Sequence, residues 1–351
     1  MFYKLIAVIV AFAIGLVSAA ANDVRELSRV SITNFLSGNG LVLGALTLVE
    51  AAKLETGDVV RQAIIELYAG SSDILMNLPF EGIQGNAMKY NRESSLPGVG
   101  FRGVNESYTP STGVLNPLTE ALVIAGGDLD VDKFIVDTMG QNQRSVHEAM
   151  KVRALSLAWT KTFIKGDNQS DPREFDGLQT RITGSQLIAA GSTANGSALS
   201  LTKLDEAIDQ TLNPTHLIMS KAMRRRLTQA SRSTTVGGFI TMEVGAFGRR
   251  VEFYNGLPIL VLDLDHTGTA ILPFTEAATS GTATATSIYV ISAGEGGVLG
   301  LQNGGIDVRD LGELQTAPVY RTRVEWYNGY AVFNGRAATR LYSISDAAVV
   351  A

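Results

Sequence analysis

The longest stretch with helical spacing of apolar residues is Gln143–Lys165, and the other expectations are arranged around it. Its apolar positions fall close to one stripe of a helix: Val146, Met150, Ala154, Leu157, Ala158 and Ile164. Arg144 and Glu148 are four residues apart, so their charges can pair along the surface. The pattern predicts a helix about 35 Å long, ended by Gly166 in a left-handed cap, that supports a sheet rather than lining a pocket.

Residues 80–118 carry a different pattern, two strand-like runs around a polar, glycine-rich stretch. The runs are Asn86–Glu93 and Val114–Ile124, and the stretch Ser94–Thr112 has Phe101 and Tyr108 as its only aromatic residues. This predicts a long β-hairpin with a mobile tip. Because such a hairpin buries too little apolar surface to form its own core, it must lie on something else, most simply another copy of the chain.

The segments flanking the hairpin and the long helix are also patterned. Val59–Leu78 has helical spacing, with a break at Gly70–Ser72. Ala121–Ala125 is strand-like, and Gly126-Gly127 predicts a turn before the long helix.

Strands and helices alternate after the long helix, which predicts a compact α/β unit over about Thr180–Leu301. Its expected elements are a helix from Ser200 to about Leu212, a strand at Thr215–Ser220, a helix at Lys221–Arg232, and strands at Val251–Tyr254, Ile259–Leu264 and Ser287–Ile291. Ile306–Ile344 is mainly strands, including Val319–Gly329 and Tyr330–Phe333.

Composition narrows the function classes. The chain has 351 residues, a net charge of −5, three histidines and no cysteine. The charge does not fit a basic nucleic-acid binder, and the missing cysteines exclude disulfides, thiolate zinc sites and cysteine nucleophiles.

The N-terminus resembles a secretion signal. Met1–Ala21 has Lys4 in a short leading region, the apolar run Leu5–Val17, and small residues at its end. The run is short for a membrane span. Gly38–Gly44 imitates a dinucleotide-binding loop, but its GxGxxxG spacing and the lack of a preceding strand favour a flexible linker.

Two acidic or histidine-containing stretches suggest metal chemistry, and both lack part of the required pattern. His147-Glu148 begins like a zinc-protease helix, but Lys151 occupies the place of the second histidine. Asp128, Asp130 and Asp132 alternate as in a calcium loop, yet its glycine and glutamate places hold Lys133 and Met139. A solvated strand-to-helix turn, with acids near a helix N-terminus, is the preferred interpretation of Gly127–Asp132.

The remaining candidates also favour structural roles. Arg224-Arg225-Arg226 with Arg232 suits a solvated helix face or a subunit contact, and the cluster Asp263, Asp265 and His266 suits a loop after a strand. No GxSxG motif is present. Four large aromatic residues are expected as core or interface anchors: Trp159, Trp326, Tyr327 and Tyr330. We therefore expect no enzyme activity and no catalytic, cofactor or metal site.

The order of these elements resembles the major capsid proteins of tailed bacteriophages, which have the α+β Hong Kong 97-type fold. The resemblance spans about Thr47–Ser345 and rests on an ensemble of segments: Thr47–Leu54, Asn86–Pro117, Gln143–Lys165, Phe175–Leu178, Asn255–Ile259 and Tyr327–Leu341. The last of these, YNGYAVFNGRAATRL, is the most specific.

The resemblance implies a domain plan. It consists of a signal-like segment (1–21), a linker (22–46), an N-terminal arm and helix (47–85), an E-loop hairpin (86–117), a peripheral domain with a spine helix (118–179), an axial domain (180–305), return strands of the peripheral domain (306–345) and a tail (346–351).

The resemblance also implies a function. Many copies of the chain, as hexamers and pentamers, would form an icosahedral shell in the virion, assembled in the host cytoplasm and enclosing DNA without sequence-specific binding. Portal, scaffolding or decoration proteins would be further partners, and no membrane would be involved. The alternatives are an encapsulin-like nanocompartment, or a secreted binding protein or hydrolase if the N-terminal signal is genuine.

Two features depart from the family pattern. Some relatives join the E-loop to a neighbour through a Lys–Asn bond, but Ser94–Thr112 has no lysine and Lys89 sits near the hairpin base, so we expect no such cross-link. The other departure is Met1–Gly44, which fits an upstream start codon with the true start near Leu46, a removable segment, or true export. The first of these is favoured.

Overall fold

The structure is a computed structural model that describes residues 46–47, 72–139, 142–232, 240–244, 250–279, 281 and 283–350. The signal-like segment, the linker and most of the expected helix Val59–Leu78 lie outside the described residues. Within that stretch the structure describes the short helix α1 (Asp73–Asn77), which begins after the extended Ser72 and stops just before the strand β2 (Pro79–Gly82).

A five-stranded sheet forms the first half of the fold. Its order is β1 (Leu46–Thr47), β2, β13 (Val298–Glu313), β14 (Val319–Val332) and β5 (Val123–Asp132). The long β13–β14 ladder is antiparallel, and β5 pairs with β14 in an unbroken antiparallel register from Val123↔Asn328 to Asp132↔Val319. Two helices follow β5 in the chain, α2 (Lys133–Met139) and the long α3 (Asn142–Lys165).

The long helix α3 confirms the helix predicted from the sequence and packs on one face of this sheet. Its buried side chains belong to the same core as those of β14 and β2: Val152, Leu155, Trp159, Phe163 and Ile164 with Phe80, Val324, Trp326 and Tyr330. The Trp159 ring lies 5.7 Å from that of Phe80 and 6.0 Å from that of Trp326. Three of the four expected aromatic anchors are therefore core residues, whereas Tyr327 is exposed.

The buried face of α3 differs from the predicted stripe. Val146 and Met150 are 54% and 62% exposed, whereas Val152, Leu155 and Trp159 are buried. Of the six residues in the predicted stripe only Ile164 is buried, and the rest of the prediction was wrong because it followed small and mid-sized apolar residues. The rings of Trp159 and Phe163 bury the most area, and they set which face of the helix meets the sheet.

Gly166 does not form the expected left-handed cap, because it is not among the described residues with positive φ. A Cβ on Gly166 would lie 2.2 Å from the carbonyl oxygen of Phe175. The glycine is therefore required by the close approach of the loop that follows the helix.

The predicted turn at Gly126-Gly127 is also absent, since β5 runs straight through both glycines. A Cβ on Gly126 would lie 2.5 Å from the carbonyl oxygen of Val324, so this glycine permits close contact with β14. The strand-to-helix turn comes later, at Asp132, whose carboxylate accepts a 2.8 Å hydrogen bond from the backbone N–H of Phe134 in α2.

The second sheet has a mixed topology and carries its own core. Its order is β6 (Leu187–Ala189), β15 (Ala338–Ile344), β12 (Ala283–Ile291), β7 (His216–Ser220), β10 (Leu257–Leu262), β9 (Arg250–Tyr254) and β8 (Ile240–Val244), with β11 (Glu276–Ala277) pairing with β12. The helices of this half are the short α4 (Leu178–Arg181), α5 (Leu201–Gln210) and α6 (Lys221–Ser231). Buried Leu204, Leu227 and Ile288 belong to one cluster on this sheet.

The division between the two sheets corrects the expected boundaries. β15 pairs with β12 and β6, so the strands after Ile306 do not all belong to the first sheet. Conversely, β13 begins at Val298, inside the stretch expected for the second unit. The chain therefore crosses between the sheets twice near its end, a connectivity that strand patterns alone do not encode.

A separate two-stranded hairpin consists of β3 (Ala87–Ser95) and β4 (Val114–Ala121). The strands pair antiparallel from Ala87↔Ala121 to Ser95↔Val114. Residues 96–113 join them without regular structure, and all of them are exposed. This confirms the predicted hairpin, although the strand that follows it is the separate β5.

Candidate assembly surfaces

The residues that suggested metal or acid–base chemistry have structural partners. Asp128 and Asp130 lie on the solvent side of β5 and pair with Arg323 and Arg321 of β14 at 2.7 and 2.6 Å. These arginines hold the pKa of both carboxyls below the usual range. The expected strand-to-helix turn over Gly127–Asp132 is confirmed only at Asp132, beside the start of α2, since Asp128 and Asp130 form a cross-strand charge ladder.

Asp265 organises a loop and ties it to the long helix. Its carboxylate accepts hydrogen bonds from the backbone N–H groups of Thr267 and Thr269, and Lys161 of α3 lies 3.0 Å away. Burial alone raises the pKa of Asp265, but these donors outweigh it and hold the pKa well below its usual range. The Asp265 carboxylate therefore resists protonation. This property suits a residue that holds a loop in place better than it suits a general base.

The remaining candidates are similarly placed. His147 is exposed on α3. In the arginine run, Arg226 pairs with Asp346 at 2.9 Å and Arg224 approaches Glu252 at 4.0 Å, which leaves Arg225 exposed. Among the residues that the structure describes, no group of three or more His, Asp or Glu side chains could hold a metal ion.

The base of the β3–β4 hairpin is held by a polar joint that sequence reasoning missed. Arg181 of α4 donates to both carboxylate oxygens of Glu120 on β4, at 2.6 and 2.7 Å. Its guanidinium lies 4.4 Å from the centre of the Tyr330 ring. Nothing local in the sequence marks the pair, because its members are 61 positions apart.

Tyr90 and Arg92 attach the other strand of the hairpin. The Tyr90 hydroxyl shares its one proton between Glu120 and the carbonyl oxygen of Val332, both 3.1 Å away, and Arg92 donates to the same carbonyl at 2.9 Å. The Tyr90 ring lies edge-on to Phe333, 4.9 Å between centres. Both strands are thus fixed to the body of the protein, so the hairpin projects from it in a defined direction.

The tip of the hairpin exposes a concentration of apolar side chains. Five large ones have at least 65% of their surface in solvent: Leu96, Val99, Phe101, Val104 and Tyr108. The tip also has internal contacts, since the Gly103 N–H donates to Glu106 at 2.8 Å and the Arg102 guanidinium lies 5.3 Å from the centre of the Tyr108 ring. An exposed apolar group of this kind on a shaped projection marks an interaction surface.

A cavity of about 230 Å³ lies at the opposite end of the hairpin, beside the start of β5. It is lined by β5, by α3 and by the loop after α3, and includes Ala125, Leu155, Trp159, Glu174 and Phe175. The described part of the chain therefore presents both a projecting apolar tip and a recess whose apolar wall is bordered by Arg173 and Glu174.

Solved structures share this architecture. An encapsulin complex chain from Synechococcus elongatus PCC 7942 is 17% identical, with a TM-score of 0.60 over 79% of this chain and 89% of its own. A chain from Mycobacterium phage Bobi is 14% identical (TM-score 0.55; 77% and 89% covered), and the capsid of an empty GTA particle is 13% identical (TM-score 0.53; 78% and 90% covered). The fold is the Hong Kong 97-type fold of shell-forming capsid proteins.

A family model then identifies the kind of shell protein. The model described as major capsid protein GP7 matches residues 56–235, just over half of the chain, and the chain belongs to that family. It is a structural protein of the virion that assembles with copies of itself into a shell. The comparison with curated proteins finds no match. None of the helices in the described ranges combines the length and hydrophobicity needed to cross a bilayer.

Proposed function

We propose that the chain is the non-enzymatic building block of an icosahedral shell, made of hexamers and pentamers, that encloses phage DNA. The observation that carries this proposal is the β3–β4 hairpin. It is fixed at its base by Arg181, Glu120 and Tyr90, yet its tip is apolar and exposed. A projection of this kind gains stability by lying on a neighbouring copy.

The two sheets have different roles in this proposal. The five-stranded sheet with α3 forms the peripheral domain, and the second sheet with α5 and α6 forms the axial domain near the centre of each capsomer. The hairpin is the E-loop that connects neighbouring copies. Portal, scaffolding and decoration proteins are further partners of the assembled shell.

The enclosed DNA requires no tight binding surface. The net charge of −5 opposes attraction to phosphates, and Arg226, Arg321 and Arg323 are paired with carboxylates of the same chain. Weak contact with the enclosed DNA is consistent with a container that must fill and empty.

The proposal is tested by shortening the hairpin. A variant in which residues 96–113 are replaced by Asn-Gly, a two-residue turn that suits a hairpin, keeps both strands and removes the apolar tip. We expect this variant to stay folded by circular dichroism and to form no closed shells, whereas the full chain forms them. Closed shells from the shortened chain would overturn the role of the hairpin.

An encapsulin-like compartment is the second candidate, because the encapsulin chain has the highest TM-score of the structures compared above. The contents of purified particles separate the two. A shell that contains nuclease-protected DNA after expression with the other head genes is a phage capsid, whereas a stoichiometric protein cargo would favour the compartment.

A further inference from the structure

The cavity beside Trp159 opens along the edge of a strand. Four consecutive residues of β5 line it, Val123–Gly126, and consecutive residues on a strand point to opposite faces. The recess therefore reaches the edge of β5 itself. Its floor is the apolar side of α3, where Leu155 and Trp159 are buried.

That edge of β5 carries backbone groups without a strand partner in the described part of the chain. β5 is the last strand of its sheet, and the Lys133 N–H donates to Pro318 just past its end. In an antiparallel ladder, the backbone groups of alternate residues point toward and away from the partner strand. The Lys133 N–H points toward the β14 side, so Ile124 and Gly126, which are in the opposite phase, direct their backbone groups away from β14. Leu122, which directly precedes β5, donates to Asn86. Beyond this contact the edge can accept another strand.

The hairpin tip has the pattern that such an edge requires. In Gly98-Val99-Gly100-Phe101, apolar side chains alternate with glycines before Arg102 ends the pattern, so an extended segment places Val99 and Phe101 on one face. Strand addition typically combines backbone hydrogen bonds with pockets for alternate side chains. A cavity of about 150 Å³ is enough to hold benzene. The 230 Å³ recess therefore has room for the fully exposed phenyl ring of Phe101.

The tip that fills the recess must come from a second copy. The recess lies at the base of the hairpin, since β5 begins two residues after β4 ends. The eight residues of β4 separate the tip from that base by about 27 Å at 3.4 Å per residue. Because the β3–β4 register is continuous apart from one shift near the tip, the hairpin does not fold back onto its own base.

We propose that residues 98–103 of one copy add as a strand to the free edge of β5 in a neighbouring copy, with Phe101 seated beside Trp159. This inference rests on the proposed shell function and specifies the site at which one copy receives another. Phe101 is an anchor residue, and the pairing of backbone groups along β5 sets its register.

Cysteine cross-linking of assembled shells tests this contact, because the natural chain has no cysteine. Gly100→Cys and Ile124→Cys are combined in the full chain, which leaves Phe101 in place. A Cβ on Gly100 meets nothing within 4 Å, and Ile124 is 70% exposed, so both changes are tolerated. A bismaleimide that spans about 8 Å reaches direct and diagonal cross-strand neighbours.

We expect a ladder of covalent oligomers from the double variant and none from either single variant. The matched control pairs Gly100→Cys with Val146→Cys, which is exposed on α3 outside the recess and should give no ladder. If shells form and both cysteines react with a monofunctional maleimide, yet no ladder appears, the inference is overturned and the shell function stands. If the natural chain forms no oligomer at all, the proposed function itself fails.

A second test fills the recess instead of labelling it. Ala158→Phe introduces a ring among the lining residues, and Ala154→Phe makes the same change one turn away on α3, outside the lining. We expect Ala158→Phe and Phe101→Ala to raise the concentration needed for assembly about 10- to 100-fold. This factor corresponds to the free energy gained by burying one phenyl ring. Ala154→Phe should assemble normally. Normal assembly by Phe101→Ala, whose side chain is exposed in the single chain, would contradict the anchor role.

Discussion

Arg181 donates to both carboxylate oxygens of Glu120, at 2.6 and 2.7 Å, and thereby locks the base of the projecting hairpin to the short helix α4. Both side chains are largely buried, at 17% and 16% exposure. Burial opposes the charge of Arg181, but Tyr330 and Glu120 outweigh it and raise its pKa above the usual value. The Arg181 guanidinium therefore stays charged over the whole working pH range.

Removing one partner of this pair should destabilise the chain and loosen the hairpin. We expect Arg181→Ala to lower the free energy of unfolding by about 2 kcal/mol, since it leaves a largely buried carboxylate without its bidentate donor. Urea denaturation measures the loss. Arg225→Ala, on an exposed arginine of α6, is the matched control and should change stability by less than about 0.5 kcal/mol.

A double-mutant cycle isolates the contact itself. Glu120→Ala in the Arg181→Ala background should cost much less than Glu120→Ala alone, because the interaction is already lost. Strictly additive effects would show that the two residues act independently.

Gly126 should be intolerant of any side chain because of its contact with β14. A Cβ there would lie 2.5 Å from the carbonyl oxygen of Val324, a backbone atom of β14 that has little freedom to move because β14 is paired on both sides. We expect Gly126→Ala to reduce the melting temperature strongly or to abolish soluble expression. Gly82→Ala, where a Cβ meets nothing within 4 Å, should retain near-natural stability. Equal behaviour of the two variants would refute this account of β5.

His216 should make the stability of the second sheet depend on pH. Burial lowers its pKa from 6.5 to about 4, so the folded chain keeps the imidazole neutral where the unfolded chain protonates it. The stability that the neutral His216 allows is fully present above pH 6.5. The free energy of unfolding falls by up to about 3 kcal/mol as the pH drops toward 4. Unfolding free energies between pH 4 and 7 should flatten in His216→Gln, whereas an unchanged slope would assign the dependence to other groups.

Covalent links should be absent from shells of the natural chain. Residues 94–112 contain no lysine, and Lys89 is near the base of the hairpin, on β3. Shells boiled in SDS should therefore migrate as a single band near 37.3 kDa, the mass of the chain. A ladder of higher bands without added reagent would show that another residue forms the bond.

The sequence predicts the elements of this fold better than their faces and connections. The long helix and the β3–β4 hairpin follow from periodicity and from turn residues. The buried side of α3 does not, because the helix has apolar residues on two sides and only the sheet determines that Trp159, rather than Met150, is covered. The placement of β15 in the second sheet likewise depends on pairing with β12 and β6, which are distant in sequence.

The assembly surfaces divide in the same way. Phe101 and Tyr108 are visible in the sequence as the lone aromatic residues of a polar stretch, so a role at the hairpin tip could be anticipated. Arg181 and Glu120 could not be paired in advance, because no local spacing connects them. The recess beside Trp159 exists only where β5, α3 and the loop at Phe175 come together.

The most direct measurement of the central claim is the size of the particle that the purified full chain forms. Light scattering and negative-stain microscopy on the protein expressed alone should show rings of five or six subunits, or closed shells far heavier than one chain. A well-folded, monodisperse monomer near 37.3 kDa at every concentration tested would contradict the account.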